Sequence, residues 1–292
     1  VSDEVRVPSV QRWLELEGLD NVRDVGGLPL RGGGTTRSGV LLRSASLHFA
    51  TPQDVRFLVD EFGLALVLDL RTPGEIERDG PTALAAAGVE TVPLTFIGAS
   101  REALPETGDD SDPLLRNYLG YLTDHPANVV EAVRRLAAQD VGSSLVHCAA
   151  GKDRTGVLVA LVLDAVGVER DAIVADYVLT ATRLEAMFRR WTSASDRPMP
   201  ADLTPHMPRA EVMAAVLARL DAQFDGAQFD GAQFDGAQFD GAQFDRVGYD
   251  HAGETGGAAG WLRANGLDDA ALSRLRERLG AADGRLLDSS GS

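Results

Sequence analysis

The chain has 292 residues, 44% of them hydrophobic and 25% charged, a balance that fits a soluble globular protein with one large or two modest domains. Its net charge of −16 argues against nucleic acid as a partner and against stable attachment to anionic lipid, since both need a basic surface. No run approaches 18 apolar residues, so stable membrane insertion is not expected, and the N-terminus lacks the basic-then-apolar pattern of a secretory signal.

The first strand expected in chain order is Val40–Leu42, followed by Leu64–Leu70, Val89–Leu94 and Ser144–His147. Between the first two, residues 51–62 open on Thr-Pro and space Val55, Leu58 and Val59 as a helix does. Asn128–Ala138 repeats that pattern, with Val129, Val130, Val133 and Leu136 on one face. Thr155–Val166 is almost wholly apolar, as a helix buried on most sides is. Helical spacing resumes over Asp171–Trp191, and Pro198, Pro200, Pro205 and Pro208 then interrupt it. A further helix is expected at Ala210–Leu220, and Ala258–Leu279 reads as two short helices parted at Asn265-Gly266. Strands alternating with helices predict an α/β fold, with a central, mostly parallel sheet of about four to five strands flanked by helices and added helices at the C-terminus. Residues 1–292 are expected to form a single domain.

Residues 222–245 stand apart: AQFD occurs five times, joined by glycine. A five-residue period spreads the phenylalanines around a helix instead of gathering them on one face. The pattern resembles pentapeptide-repeat β-helices, but five pentads supply little more than one coil, and a solenoid needs several stacked coils to bury a core. The favoured reading is a repeat-expanded connector or insertion within the domain.

All but one of the 28 Lys and Arg residues are arginine; the single lysine, Lys152, and the single cysteine, Cys148, both lie in HCAAGKDRTG, residues 147–156. A glycine-containing loop between a strand and a helix presents successive backbone N–H groups to one point, and the helix N-terminus adds partial positive charge. Cys148 at the strand end of such a loop is expected to be ionised readily. Arg154 has the fork that grips two phosphoryl oxygens, Thr155 brings a hydroxyl toward the sulfur, and His147 is expected to orient the loop through its ring. A lone cysteine is ordinarily a small buried hydrophobe. That reading leaves unexplained why Cys, Gly, Lys, Arg, Thr and Gly all fall at phosphate-cradle spacing. The five histidines are scattered and form no metal-ligand spacing with the one cysteine, so no metal is expected.

HCAAGKDRTG resembles the signature of the cysteine-dependent protein tyrosine phosphatase superfamily. Its bacterial tyrosine/dual-specificity branch is also resembled by DNVRDVGGLPL (20–30), LLRSASL (41–47), VLDLRTPGEIERDG (67–80), GVERDAIVADYVLT (167–180) and GWLRANGLDDAALSRLRERL (260–279). The resemblance implies a one-domain α/β phosphatase that needs no cofactor and forms a phosphocysteine intermediate. It makes Cys148 the nucleophile, with Arg154 and the N–H groups of Ala149, Ala150, Gly151, Lys152, Asp153 and Arg154 holding the transferring phosphoryl group. It also implies that Asp153 protonates the leaving oxygen; capping the following helix is an equally good role for that residue. Asp109, Asp110, Asp112 and Asp124 are alternative acids on an expected lid. Asp69 is a supporting aspartate that orients Lys152 or Arg154, with an ion pair to Arg71 as the alternative. Arg23 and Asp24 read as an ion pair fixing a glycine turn.

The substrate this implies is a phosphorylated protein, phosphotyrosine foremost, with a slot lined by Phe96, Tyr118, Tyr121 and Phe188 and inorganic phosphate as product. Lys152 makes a phosphoinositide the alternative, because an extra cation suits several phosphates. Sulfur or arsenate transfer and a non-catalytic phosphate-binding adaptor are weaker readings. A free thiol fits a reducing, cytoplasmic location, with export by a non-classical route as the alternative.

Overall fold

The expected strands pair into one sheet in the computed structural model, which describes residues 12–97, 112–194, 198–224 and 256–280. The strands are β1 (Arg23–Asp24), β2 (Leu41–Ser44), β3 (Leu64–Asp69), β4 (Glu90–Pro93) and β5 (Ser143–His147), in the order β1-β2-β5-β3-β4. All are parallel except β1, a two-residue antiparallel edge that no apolar run announced. The last strand in the chain, β5, lies between β2 and β3. Its C-terminal end therefore opens between two neighbours, where parallel α/β sheets place ligands.

Helices cover both faces, which is why the strands read as continuous apolar runs. Alternate residues serve opposite cores: Leu41, Leu66, Leu68 and Val146 face one, and Leu42, Val67 and Leu145 the other. Leu64 joins the second set because the β3–β5 register shifts between Leu64 and Leu66.

On the smaller core lie α1 (Pro52–Arg56), which runs on as a π turn over Phe57–Glu61, and α3 (Ala83–Ala86); α2 (Pro73–Asp79) follows β3. Thr51–Asp54 and Thr72–Glu75 form capping boxes at the starts of α1 and α2. The larger core takes α4 (Pro113–Asp124), α5 (Pro126–Ala138) and α6 (Asp153–Val166).

The single helix expected over 171–191 is two, α7 (Arg170–Val178) and α8 (Ala181–Ser193). The break has a physical cause. Arg23 donates to the carbonyl oxygen of Asp176 and to Thr180 Oγ1, so the Asp176 oxygen is engaged by a guanidinium where the helix ladder ends. Thr180 N turns to Tyr177 O instead, a tighter turn.

The remaining helices are α9 (Ala210–Phe224), α10 (Gly257–Ala264) and α11 (Asp269–Leu279). Trp261, Leu262, Leu272 and Leu275 join the larger core with α6 residues, and Asp164 of α6 accepts from Ala258 N. Most of the AQFD tract lies outside the described residues. Leu262 is fully buried, so Leu262→Ala should cost about 2–5 kcal/mol. Chemical denaturation should show one transition moved to lower denaturant; a separate, earlier transition for the C-terminal helices would contradict the one-domain expectation.

Candidate active site

The loop Cys148–Lys152 leaves the end of β5 and enters α6, whose N-cap, Lys152, makes no side-chain cap bond. Each of its first four carbonyls is engaged. His147 Nδ1 donates to Cys148 O at 3.1 Å, Ser46 N to Ala149 O at 2.9 Å, Asn21 Nδ2 to Ala150 O at 3.0 Å and Arg43 Nη2 to Gly151 O at 2.9 Å. Asn21 Nδ2 also reaches Gly151 O at 3.3 Å. A peptide whose oxygen is tied down on one side shows its N–H on the other. The N–H groups of Ala149 to Arg154 carry no described hydrogen bond, and the helix N-terminus adds its dipole to theirs.

Two backbone positions are paid for locally. Gly151 has φ +65°, and a Cβ there would lie 2.2 Å from Ser44 O, so only glycine fits. Asn21, at φ +55°, occupies the same left-handed region and so aims its amide at the loop.

Beneath the loop, the buried carboxylate of Asp176 pairs with three guanidinium groups, those of Arg12, Arg23 and Arg43. Burial works against its charge, but the three cations hold its carboxyl well below the usual range. Arg23 pays for this arrangement: burial and then Arg43 lower it to about 9. Arg23 also donates to Asn21 Oδ1, so Asp176 reaches the loop both through Arg43 and through Arg23 and Asn21.

Arg154 is buried and pinned. Its Nη1 lies 2.6 Å and its Nη2 2.8 Å from the two oxygens of Glu75, and Nη1 also reaches Leu70 O at 3.2 Å. Desolvation opposes the charge on Glu75, yet the bonds from Arg154 bring its carboxyl down to about 2. Glu75 is at the same time the capping residue of α2, accepting from Thr72 N. The sequence shows that cap in Thr72-Pro-Gly-Glu75, but not the arginine, which arrives on α6 because β5 lies beside β3 in the sheet.

The other expected site residues are placed as follows. Cys148 is buried at the loop entrance. Thr155 Oγ1 is buried without a hydrogen-bond partner, and so is His147 Nε2, which faces Asp69 Oδ1 at 3.6 Å. Burial keeps His147 below its ordinary value, so the neutral ring carries its proton on Nδ1. Asp69 orients neither Lys152 nor Arg154: it is bidentate to Arg71, which also pairs with Asp79. Arg23 and Asp24 do not pair with each other; Asp24 accepts from Gly26 N and Gly39 N and so holds the glycine turn without the arginine.

Asp153 is the first residue of α6, so it does not cap that helix, and its Oδ1 accepts from Tyr118 Oη at 2.5 Å. Lys152 Nζ lies 3.4 Å from the same oxygen and donates to His206 O at 2.7 Å. Asp112 caps α4 and pairs with Arg209, Asp124 ends α4 on the exposed surface, and Asp109 and Asp110 lie outside the described residues.

Of the slot residues, Phe96, Tyr118 and Tyr121 are buried in the core, which leaves Phe188 partly exposed beside Ala150. Trp191 meets Phe188 edge-on and His206 lies tilted against it, at 5.4 and 4.8 Å between ring centroids; the sequence reading missed both. Among the described residues no group of three or more His, Cys, Asp or Glu is placed to hold a metal ion, and no helix is long and apolar enough to cross a membrane.

Amides left facing inward at a helix start, beside a cysteine and a held guanidinium, suit a transferring phosphoryl group and define the cysteine-dependent phosphatases. Comparison with known proteins takes this further: the model of the tyrosine phosphatase family matches residues 14–229, and the chain belongs to that family. It is 28% identical to a tyrosine-protein phosphatase of Nostoc commune, over 82% of this chain and 74% of the relative. It is also 28% identical to the triple specificity protein phosphatase PtpB of Mycobacterium tuberculosis, over 70% of this chain and 81% of that one. Among solved structures, a Pseudomonas aeruginosa TpbA variant in complex with phosphotyrosine is 21% identical, with a TM-score of 0.32 over 62% of this chain and 87% of that one. A pentapeptide-repeat model matches residues 221–247.

The Glu75–Arg154 pair gives a pH prediction. Glu75 titrates at about 2 when folded, against an ordinary 4.5, so its contribution to stability is complete above pH 4.5 and disappears as pH falls to about 2. Glu75→Gln should therefore be less stable than the parent at neutral pH, with the gap closing on acidification. Denaturation midpoints measured from pH 7 to pH 2 check this, and a gap that stays constant to pH 2 would contradict it.

Proposed function

We propose that the protein hydrolyses phosphate monoesters through a phosphocysteine on Cys148. The observation that carries this reading is the set of outward-tied carbonyls from Cys148 to Gly151, which leaves the N–H groups beyond them for the three non-bridging oxygens. In the first step the thiolate of Cys148 attacks phosphorus in line, the S–P bond forms and the P–O ester bond breaks. Asp153, exposed on one side at the start of α6, gives its proton to the departing oxygen. Arg154, held by Glu75 on Nη1 and Nη2, keeps Nε and the remaining Nη2 proton for the phosphoryl oxygens. In the second step water attacks phosphorus, Asp153 takes back a proton, the S–P bond breaks and inorganic phosphate leaves. The otherwise unpartnered Thr155 hydroxyl supports the departing thiolate.

The substrate is a phosphorylated protein, with phosphotyrosine preferred: Phe188, Trp191 and the ring of His206 form an aromatic wall beside Ala150. A phosphoinositide is the second reading, and it rests on Lys152. Residues 1–292 act as one phosphatase domain in which 222–245 is a connector.

Cys148→Ser should abolish p-nitrophenyl phosphate turnover while orthovanadate binding persists; turnover retained in that variant overturns the mechanism. Lys152→Ala should lower phosphoinositide turnover more than phosphotyrosine-peptide turnover if the lysine reads a second phosphate. An equal loss on both removes the lipid reading.

A further inference from the structure

Tyr118 and Tyr177 are fully buried in an apolar core, where phenylalanine would pack equally well without a hydroxyl to satisfy. Their hydroxyls instead form a chain. Arg209 N lies 3.4 Å from Tyr177 Oη, Tyr177 Oη lies 2.7 Å from Tyr118 Oη, and Tyr118 Oη lies 2.5 Å from Asp153 Oδ1. Direction in such a chain follows from proton count. A backbone N–H only donates, and each phenol has one proton. Arg209 N–H therefore donates to Tyr177, Tyr177 donates to Tyr118, and Tyr118 donates to Asp153. Burial, and then the carboxylate beside it, push the Tyr118 phenol far above its ordinary value, so it remains a donor. Burial also raises Tyr177, to about 12.

Both charged or polar contacts to Asp153 fall on one of its oxygens: Tyr118 Oη and Lys152 Nζ each approach Oδ1. Protonated Asp153 must then carry its proton on Oδ2, because Oδ1 already accepts one. The rest of the site is built to keep the chain in place. Tyr118 and Tyr177 meet edge to face, and a Cβ on Gly156 would lie 2.9 Å from Tyr177 Cδ2, so the glycine that ends the HCAAGKDRTG segment is what admits the Tyr177 ring.

We propose that Tyr118 is a positioning residue for the phosphatase reaction, directed by Tyr177 and the Arg209 amide. By donating to Oδ1 it fixes the Asp153 carboxyl and assigns the transferable proton to Oδ2, the oxygen turned away from the core. This rests on the reading of Asp153 as the proton donor. General acid catalysis matters most for esters whose leaving group is a poor one, so a donor held in the wrong orientation slows those esters selectively. A merely structural tyrosine would slow every ester alike.

The test compares phenyl phosphate with 2,4-dinitrophenyl phosphate, whose leaving phenolate needs no proton, in the full chain. Asp153→Asn should slow phenyl phosphate on the order of 10²-fold more than the dinitrophenyl ester. Tyr118→Phe should show the same bias at about tenfold, and Tyr177→Phe, which leaves the Asp153 bond in place but removes its direction, at about threefold. In each case the bias should be read in kcat/KM, which reports the ester-cleaving step, because both esters share the phosphocysteine hydrolysed in the second step. If Asp153→Asn shows no bias, Asp153 is not the acid and this inference goes with it. If Asp153→Asn is biased while Tyr118→Phe slows both esters equally, only the role of Tyr118 is overturned. Should Tyr118→Phe fail to fold, equal slowing by Tyr177→Phe overturns it in the same way.

Discussion

One buried carboxylate, Asp176, is what keeps the loop in its working shape. Three guanidinium groups converge on it from the N-terminal segment, β1 and β2, and two of them continue to the carbonyls of Ala150 and Gly151. Isolated, each of these charges would be too costly to bury; together they are tolerable because every cation shares the same anion. The excess of positive charge lies directly under a loop meant for an anion. Removing Asp176 would leave three buried cations facing each other, while removing one arginine would leave the others better matched. The carboxylate is therefore the less replaceable partner.

The same geometry favours arginine over lysine at the buried positions around the loop. At Arg23 and Arg43 a single side chain binds Asp176 and a second acceptor at once, and at Arg71 and Arg154 it closes on both oxygens of one carboxylate. A planar fork does this and an ammonium does not. Lys152 is placed where a compact point charge is required, between the His206 carbonyl and Asp153 Oδ1. Among the described residues the buried arginines are Arg23, Arg43, Arg71 and Arg154, each paired with a carboxylate near the loop, so a protein with a net charge of −16 still gathers cations around this one site.

Most of the sheet was legible because β2, β3 and β5 are largely apolar and buried, and the helices that failed to register did so for identifiable reasons. α4 begins at Pro113 immediately after residues of low apolar content, and its buried positions, Tyr118, Gly120, Tyr121 and Leu122, do not make a clean stripe. The break between α7 and α8 depends on Arg23, more than 150 residues away in the chain, so no local pattern announces it. In the site, the loop residues were legible from spacing alone, whereas their partners were not. Glu75 reads as a helix cap, which it is, and becomes the anchor of Arg154 only when β3 and β5 lie side by side. Asp69 reads as a neighbour of the loop, which its register opposite His147 supports, but its local partner Arg71 takes both its oxygens.

The contacts around the loop divide by function. Groups from residues 21–46, namely Asn21, Arg43 and Ser46, hold its backbone, while groups from residues 75–206, namely Glu75, Tyr118 and His206, hold the side chains of Arg154, Asp153 and Lys152. On the proposed mechanism, backbone placement bears on whether a phosphoryl group is bound at all, and side-chain placement on how its charge and the leaving proton are handled. Substitutions in the first set, and at Glu75, should therefore affect every ester alike, whereas those at Tyr118, which holds Asp153, discriminate among them. The last two helices, α10 and α11, close the larger core against α6, the helix that carries the loop, and so support the base of the site.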